Sequence, residues 1–421
     1  MDISRESGNA LRERALATLL RNLGKTGGKY VCPSWPHYRH QWLWDSCAHA
    51  IALAFLGRKE EAKNEFRWLL SSQRPDGFIP HMAYRKRHGP LWELERFTFL
   101  RWMHSDYSQP PLLAQALWWI DDSDFTREVF DRVVRFFLYF RERQDPDKDA
   151  LISNFHQGET GRDSSPEFDP YILRIPGRHR ILNTALHGFS WLKRGAKYRW
   201  MGWDIERIVA DDGFDVEDLM FNCIWVDGMY ILAQMTESAS ARGTLTELAS
   251  QTENAILQHC WDEETQIFYS LAKGNEKIRC VTVSNLFPLL LPRLPKDRAT
   301  SIVGHLTNPN KFWTSYPIPS VAVDEPTFDP DRVESLLWRG GSWDITTHFI
   351  AQGLFRQGYA KVAQELIALT DPSKMEEAEQ DFPEFRHPFT GKGMRVKNFS
   401  MATIAVVTQS FLEDTSRIPL L

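Results

Sequence analysis

The stretch that decides the fold runs Trp42-Leu43-Trp44-Asp45-Ser46-Cys47-Ala48-His49-Ala50-Ile51-Ala52-Leu53-Ala54-Phe55-Leu56-Gly57-Arg58-Lys59-Glu60-Glu61-Ala62-Lys63-Asn64-Glu65-Phe66-Arg67-Trp68-Leu69-Leu70-Ser71-Ser72. It reads as two helices, 42–57 and 59–72, joined at Gly57-Arg58. Outward from this hairpin the same periodicity continues, at 9–24, 110–121, 126–143, 181–195, 214–236, 243–261, 281–292, 296–307, 331–338, 343–357, 359–370 and 399–413. Alternating strand-type runs are few. Connections are of two kinds: short turns, and long aromatic loops at 28–41, 73–109, 145–180, 308–330 and 371–398. Loops of that length are functional or disordered far more often than incidental. Short turns at one end and long loops at the other predict helical hairpins set around an axis. The fold class expected is all-α, an (α/α)6 barrel with its active site among the long loops. No linker or low-complexity tract divides the chain, so residues 1–421 are expected to form a single domain.

The composition limits the possible functions. The 421 residues are 43% hydrophobic and 25% charged, an ordinary soluble balance. A net charge of −5 argues against a nucleic-acid partner, because phosphate binding needs a basic surface. The chain has 16 Trp and 26 Phe, an aromatic excess that suits carbohydrate sites as well as core filling. Five scattered cysteines without a CxxC spacing point to reduced thiols, and the N-terminal residues lack an apolar signal. A cytoplasmic protein with no membrane span is expected.

Two of the long loops carry acids among helix breakers. One is Gly158-Glu159-Thr160-Gly161-Arg162-Asp163-Ser164-Ser165-Pro166; the other is Asp381-Phe382-Pro383-Glu384-Phe385-Arg386-His387-Pro388-Phe389-Thr390-Gly391. Two carboxyl groups brought together from distant loops are what glycoside hydrolysis needs. Read locally, Asp163 is equally a carboxylate capping a turn, and Glu384 a surface acid paired with Arg386 or His387. Asp324, Glu325, Glu334 and Asp344 are competing acids.

Further segments complete a pattern. Tyr38-Arg39-His40-Gln41-Trp42-Leu43-Trp44-Asp45-Ser46, Gly77-Phe78-Ile79-Pro80-His81-Met82, Ser108-Gln109-Pro110-Pro111, the Asp163 loop, Trp338-Arg339-Gly340 and the Glu384 loop follow in that order. Together they resemble the bacterial branch of glycoside hydrolase family 63, in particular its compact mannosylglycerate and glucosylglycerate hydrolases, a family related to the trehalases of family 37. The resemblance runs from about residue 25 to about residue 413. Two positions depart from it. The usual Trp-Arg-Gly-Pro-x-Trp has Gly341 in place of Pro, and the usual Phe-Ser-Trp ends in Met401.

The resemblance implies an inverting, exo-acting α-glycoside hydrolase. Asp163 matches the general acid and Glu384 the base that activates water, with room between them of roughly 6.5–9.5 Å. An acid that protonates the leaving oxygen must stay neutral near pH 7. Glu159 and Glu167 are candidate negative neighbours, and Arg162 would oppose them if it pointed inward. Asp45 is expected to read two sugar hydroxyls, with His81 beside it; by local sequence alone Asp45 is equally a helix N-cap and His81 a structural histidine. Tyr38, Trp42, Gln109, Trp338 and Trp343 are carried over as pocket lining. Arg339 is carried over as substrate-binding, or else as a residue holding the base loop. Of Trp42 and Trp44, one should face the site and one the core if the chain there is extended.

No metal and no cofactor are expected: a carboxylate activates water unaided, and the acids of Asp145-Pro146-Asp147-Lys148-Asp149-Ala150 lack the turn glycine of a calcium loop. The expected partners are a small α-glycoside and the catalytic water. Glucosylglycerate or mannosylglycerate leads, with a glycerate carboxylate seeking an Arg or Lys among 174–180 or 193–199. Glucosylglycerol or a short α-gluco-disaccharide is the neutral alternative. A sugar epimerase or isomerase, using His179, His187, His348 or His387, is the alternative of another class. Sequence leaves the oligomeric state open.

Overall fold

The computed structural model describes residues 3–85, 104–173, 175, 180–211, 213–332, 337–375 and 381–419. Six helical segments contact one another in a closed ring: α2 (Leu43–Phe55), α4 (Leu113–Ile120), α8 (Leu219–Met235), a 3-10 helix (Val283–Leu290), α11 (Asp344–Arg356) and α13 (Ile404–Ser410), which returns to α2. Around them lie α1 (Ile3–Lys25), α3 (Lys59–Leu70), α5 (Ser123–Arg143), α9 (Ala239–Ala255), α10 (Lys296–Leu306) and α12 (Ala360–Leu369). This is an (α/α)6 barrel.

The sequence of each helix suits its layer. In α2 every residue from Leu43 to Ala54 is buried, so it is apolar nearly all round. Outer α5 buries one stripe, Phe125, Val129, Val133, Phe136, Phe137 and Phe140, at helical spacing. The first five inner segments each turn sharply into an outer partner at their C-termini. The α2–α3 turn uses Gly57 at φ 77°, where a side chain would be strained. Side-chain caps start several helices: Asp122, Asp218 and Ser238 accept from the backbone N–H of Phe125, Phe221 and Ala241. One contiguous hydrophobic core runs from Leu11 to Ile418.

The inner helices therefore all begin at the same end, where the long connections return. There, two-residue ladders pair Gln41–Trp42 with Met82–Ala83 and Phe385–Arg386 with Gly393–Met394. The connection from α5 to α8 carries α6 (Arg180–Trp200) and α7 (Ile205–Ala210). Trp191 and Leu192 of α6 pack with Met82, Tyr84 and Tyr107.

Two expected helices differ. The segment 281–292 is 3-10, with Pro288 inside it denying the α-helical hydrogen bond. At 331–338 the described residues Asp331, Arg332, Leu337 and Trp338 are not helical; Trp338 is instead held by its N–H on Ser164 Oγ at 3.1 Å. Among the described residues no helix is long and apolar enough to cross a membrane.

Candidate active site

A cavity of about 550 Å³ opens where the inner helices begin. Tyr38, Trp42, Asp45, His81, Gln109, Asp163, Trp338, Trp343 and Glu384 all line it, gathered from six separate stretches of sequence. Arg339 does not. Its guanidinium is forked onto the Asp169 carboxylate, with Nη1 2.8 Å from Oδ2, so it braces the chain after Asp163 rather than a ligand or the base loop. The Glu384 loop is joined to this segment by Ser342, which exchanges backbone hydrogen bonds with Arg386.

The Asp163 loop is built by local constraints. His156 caps the turn Gln157–Thr160, and Glu159 folds back to accept from the N–H groups of Phe155 and His156 and from Gln144. Gly161 follows at φ 70°, lying so close to Trp44 that a Cβ would be 2.8 Å from the indole. Arg162 turns away from the cavity to a buried ion pair with Glu167 and Asp218, and so fastens the loop to the start of α8. Asp163 is left facing the cavity, with His187 Nε2 3.3 Å from its backbone carbonyl. Burial pushes the Asp163 carboxyl up to about 7; Arg395 opposes the rise and Glu384 adds to it. Neither Glu159 nor Glu167 is the negative neighbour; Glu384 is.

Glu384 is 4% exposed and precedes the Phe385–Arg386 ladder, its N–H donating to the Val396 carbonyl at 3.0 Å. Its Oε1 accepts from the Tyr38 hydroxyl at 2.8 Å and from Arg395 Nη1 at 2.9 Å. Its Oε2 is buried without a hydrogen-bond partner among the described residues. Burial raises this carboxyl, against the lowering effect of Arg395 and the Tyr38 hydroxyl. Arg386 binds the carbonyls of Gly391 and Asp381 and His387 faces Asp331, so neither pairs with Glu384.

Asp45 lies in the first turn of α2, after an N-cap position held by Trp42, and is not the cap. Burial, and then Glu384, push its carboxyl up to about 8, so at neutral pH it favours the acid form and can donate as well as accept. His81 is held neutral by burial, lowered to about 3; it stacks on Tyr107 at 4.2 Å, and its Nδ1 has no partner among the described residues. Gln109 Oε1 accepts from the Trp44 N–H at 3.4 Å. Trp338 and Trp343 stack at 4.1 Å with 3° between their planes, forming one aromatic wall. Trp42 and Trp44 both line the cavity, because the helix begins at Leu43 and the stretch is not extended through both.

Residues 38–401 match the family of mannosylglycerate hydrolase MGH1-like glycoside hydrolase domains. The chain belongs to this family. It is 26% identical to the mannosylglycerate hydrolase of Thermus thermophilus, over 92% of this chain and 97% of that one. It is 26% identical to the glucosylglycerate hydrolase of Mycolicibacterium hassiacum, over 88% and 91% of the two chains. A crystal structure of a family 63 mannosylglycerate hydrolase from Thermus thermophilus, in complex with Tris and D-glycerate, superimposes with a TM-score of 0.83 at 24% identity, covering 95% of this chain and all of that one. This protein is a glycoside hydrolase.

The competing acids of this glycosidase lie elsewhere. Asp344 is bound by the Tyr316 hydroxyl, Asp324 by Lys311, and Glu325 by the Val281 N–H; Glu334 falls outside the described residues. The histidines of the isomerase alternative are not assembled: His187 lines the cavity, His348 is enclosed beside Thr408, His387 faces Asp331, and His179 is not among the described residues. None of Lys193 to Arg199 lines the cavity, and Arg194 binds Gln157 and the Tyr171 carbonyl. Of 174–180, only residue 175 and the backbone of Arg180 are described. Asp145, Asp147 and Asp149 each bring an oxygen within 4.8 Å of the others and could hold a cation, with Arg141 beside Asp145; none lines the cavity.

Met401 lines the cavity where the family's aromatic is usual. Sequence reasoning passed over Trp191 and Arg395, which also line it. Neither sits in a motif; only the three-dimensional return of α6 and of the 393–396 turn brings them in.

Proposed function

We propose that the enzyme is an inverting, exo-acting α-glycoside hydrolase that releases glucose or mannose from a small glycoside, with glucosylglycerate or mannosylglycerate as the leading substrate. The observation that carries this is one cavity holding two carboxyls in unlike environments: Asp163, pushed up to about 7, and Glu384, with one oxygen bonded and one free. In this reading protonated Asp163 gives its proton to the glycosidic oxygen as the bond to the anomeric carbon breaks. Glu384 Oε2 takes a proton from the water that attacks the opposite face, so the hexose leaves with inverted configuration. Asp45 and His81 read the sugar hydroxyls; Trp338, backed by Trp343, packs against its C–H surface.

The relatives named for glucosylglycerate and mannosylglycerate support a glycerate aglycone. A neutral aglycone, as in glucosylglycerol or a short α-gluco-disaccharide, has its own support: among the described residues Arg395 is the cavity's only Lys or Arg, and it is spent on Glu384. Five free cysteines suit a reducing cytoplasm.

The test is to incubate purified enzyme with glucosylglycerate, mannosylglycerate, glucosylglycerol, kojibiose and trehalose, and to follow the first hexose released by proton NMR. The β-anomer from an α-glycoside is expected. With the three substrates whose aglycone is not a sugar, first appearance of the α-anomer rules out inversion, and release of hexose from none of the five rules out the reading altogether.

A further inference from the structure

We propose that Arg395 is a positioning residue that decides which carboxyl of the cavity serves as the base. By holding one oxygen of Glu384 together with Tyr38, it leaves Oε2 alone to face the water, and it bonds to Glu384 rather than to Asp163. The proposal rests on the reading of Glu384 as the base.

Three carboxyls, Asp45, Asp163 and Glu384, face the cavity, and among the described residues one guanidinium faces them. A single cation cannot hold three buried carboxyls ionised, so its placement selects one. It bonds to Glu384, with Nη1 2.9 Å from Oε1. Tyr38 donates to the same oxygen at 2.8 Å, and the guanidinium lies 5.5 Å from the centre of the Tyr38 ring, so the two donors brace each other. Both donors on Oε1 fix the rotation of the carboxylate and leave the lone pairs of Oε2 free.

The backbone supports this placement at a cost. Arg395 sits at φ 66°, in the left-handed region that an arginine adopts only when its surroundings impose it. The surroundings are the ladder of Gly393–Met394 on Phe385–Arg386 and the Glu384 N–H bond to Val396. These bring residue 395 back beside Glu384. A glycine there would relax the backbone and lose the guanidinium, so the position is unfavourable for the fold and suited to the site.

The test compares the parent with Arg395→Gly and Arg395→Lys in the full chain, reading Tm and the pH profile of kcat/KM. Arg395→Gly should melt no lower than the parent while kcat/KM falls at least about 100-fold, the scale of a disabled general base. With the cation gone, the buried Glu384 binds its proton more tightly, so the acid limb should move to higher pH. Asp163 loses the same opposing charge, so the alkaline limb should rise with it. Arg395→Lys should recover part of the rate and part of the shift. A parallel Glu384→Ala variant, assayed with azide, separates the two ideas. Parental turnover by Glu384→Ala overturns the reading of Glu384 itself. If azide rescues Glu384→Ala but Arg395→Gly keeps kcat/KM within about threefold of the parent, the proposal alone fails. It fails too if activity is lost with a lowered Tm, or with limbs that stay in place.

Discussion

The hydroxyl of Tyr38 reaches across 346 residues of sequence to donate a 2.8 Å hydrogen bond to Glu384 Oε1. The bond joins the loop before the first inner helix to the loop before the last, and so helps close the ring on the side where the cavity lies. It also favours the carboxylate form of Glu384, against the burial that raises this group, since a phenol that donates to it stabilises the charge.

Tyr38→Phe removes that donor and little else. A hydrogen bond to a charged group contributes about 1.5–3 kcal/mol, so kcat/KM at its optimum should fall about tenfold to 100-fold. Glu384 should then protonate more readily, so the acid limb of the kcat/KM profile should move to higher pH. A profile unchanged in shape would show that Tyr38 does not act through Glu384.

Asp163→Asn should abolish turnover while leaving binding of a hexose product measurable by calorimetry. It should also alter the pH dependence of stability. The folded carboxyl is raised to about 7 from an ordinary 3.8, so between those values the folded state binds more protons than the unfolded one. Stability from this group is therefore lost as pH rises from about 4 to about 7. Asparagine has no charge to bury. The variant should melt close to the parent at pH 4 and above it at pH 8, in paired thermal scans. A variant that melts lower at pH 8 would mean that the carboxyl is not held in a desolvated place.

Arg162→Met tests the anchor of the acid loop. Arg162 is 0% exposed and stands between Glu167 and Asp218, both buried, so the substitution strands two carboxyls without a counter-charge. Breaking a buried pair in this way costs about 3–5 kcal/mol. Urea unfolding at pH 7 should show a loss of that order. Arg339→Met, by contrast, removes one partner of the less buried Asp169 and should cost less.

The barrel was legible in the sequence because its signals are local and repeated. Leu43–Phe55 is apolar all round, as a helix enclosed in a ring must be, and Gly57 marks where it turns. The two acids were legible as carboxyls among turn residues. Their environments were not, since those are set by distant partners. Asp163 takes its charged neighbours from Glu384 and Arg395, and Arg339 finds Asp169 170 residues away. Arg395 carried no signal: a left-handed arginine in a hairpin is visible only once Phe385–Arg386 has paired with Gly393–Met394. Arg162 shows the same limit in reverse. It was read as a possible opponent of Asp163, and it proves to face Glu167 and Asp218.

Gly341 gives the departure from Trp-Arg-Gly-Pro-x-Trp a physical reason. A Cβ at that position would lie 2.3 Å from Cδ2 of Phe385, the residue after Glu384. The Phe385 ring is 1% exposed and stacked on Trp343 at 5.1 Å, so it cannot step aside freely. Gly341→Ala should therefore displace Phe385 and carry Glu384 with it. Overpacking of this kind costs about 1–3 kcal/mol, read as a fall in Tm, and the displacement of Glu384 should lower kcat/KM about tenfold. Shrinking the ring should relieve the contact. In the double variant Gly341→Ala with Phe385→Leu, the two costs should sum to less than their separate values, a coupling that a double-mutant cycle measures directly. Strict additivity would show that the missing Cβ at 341 and the ring beside the base are independent.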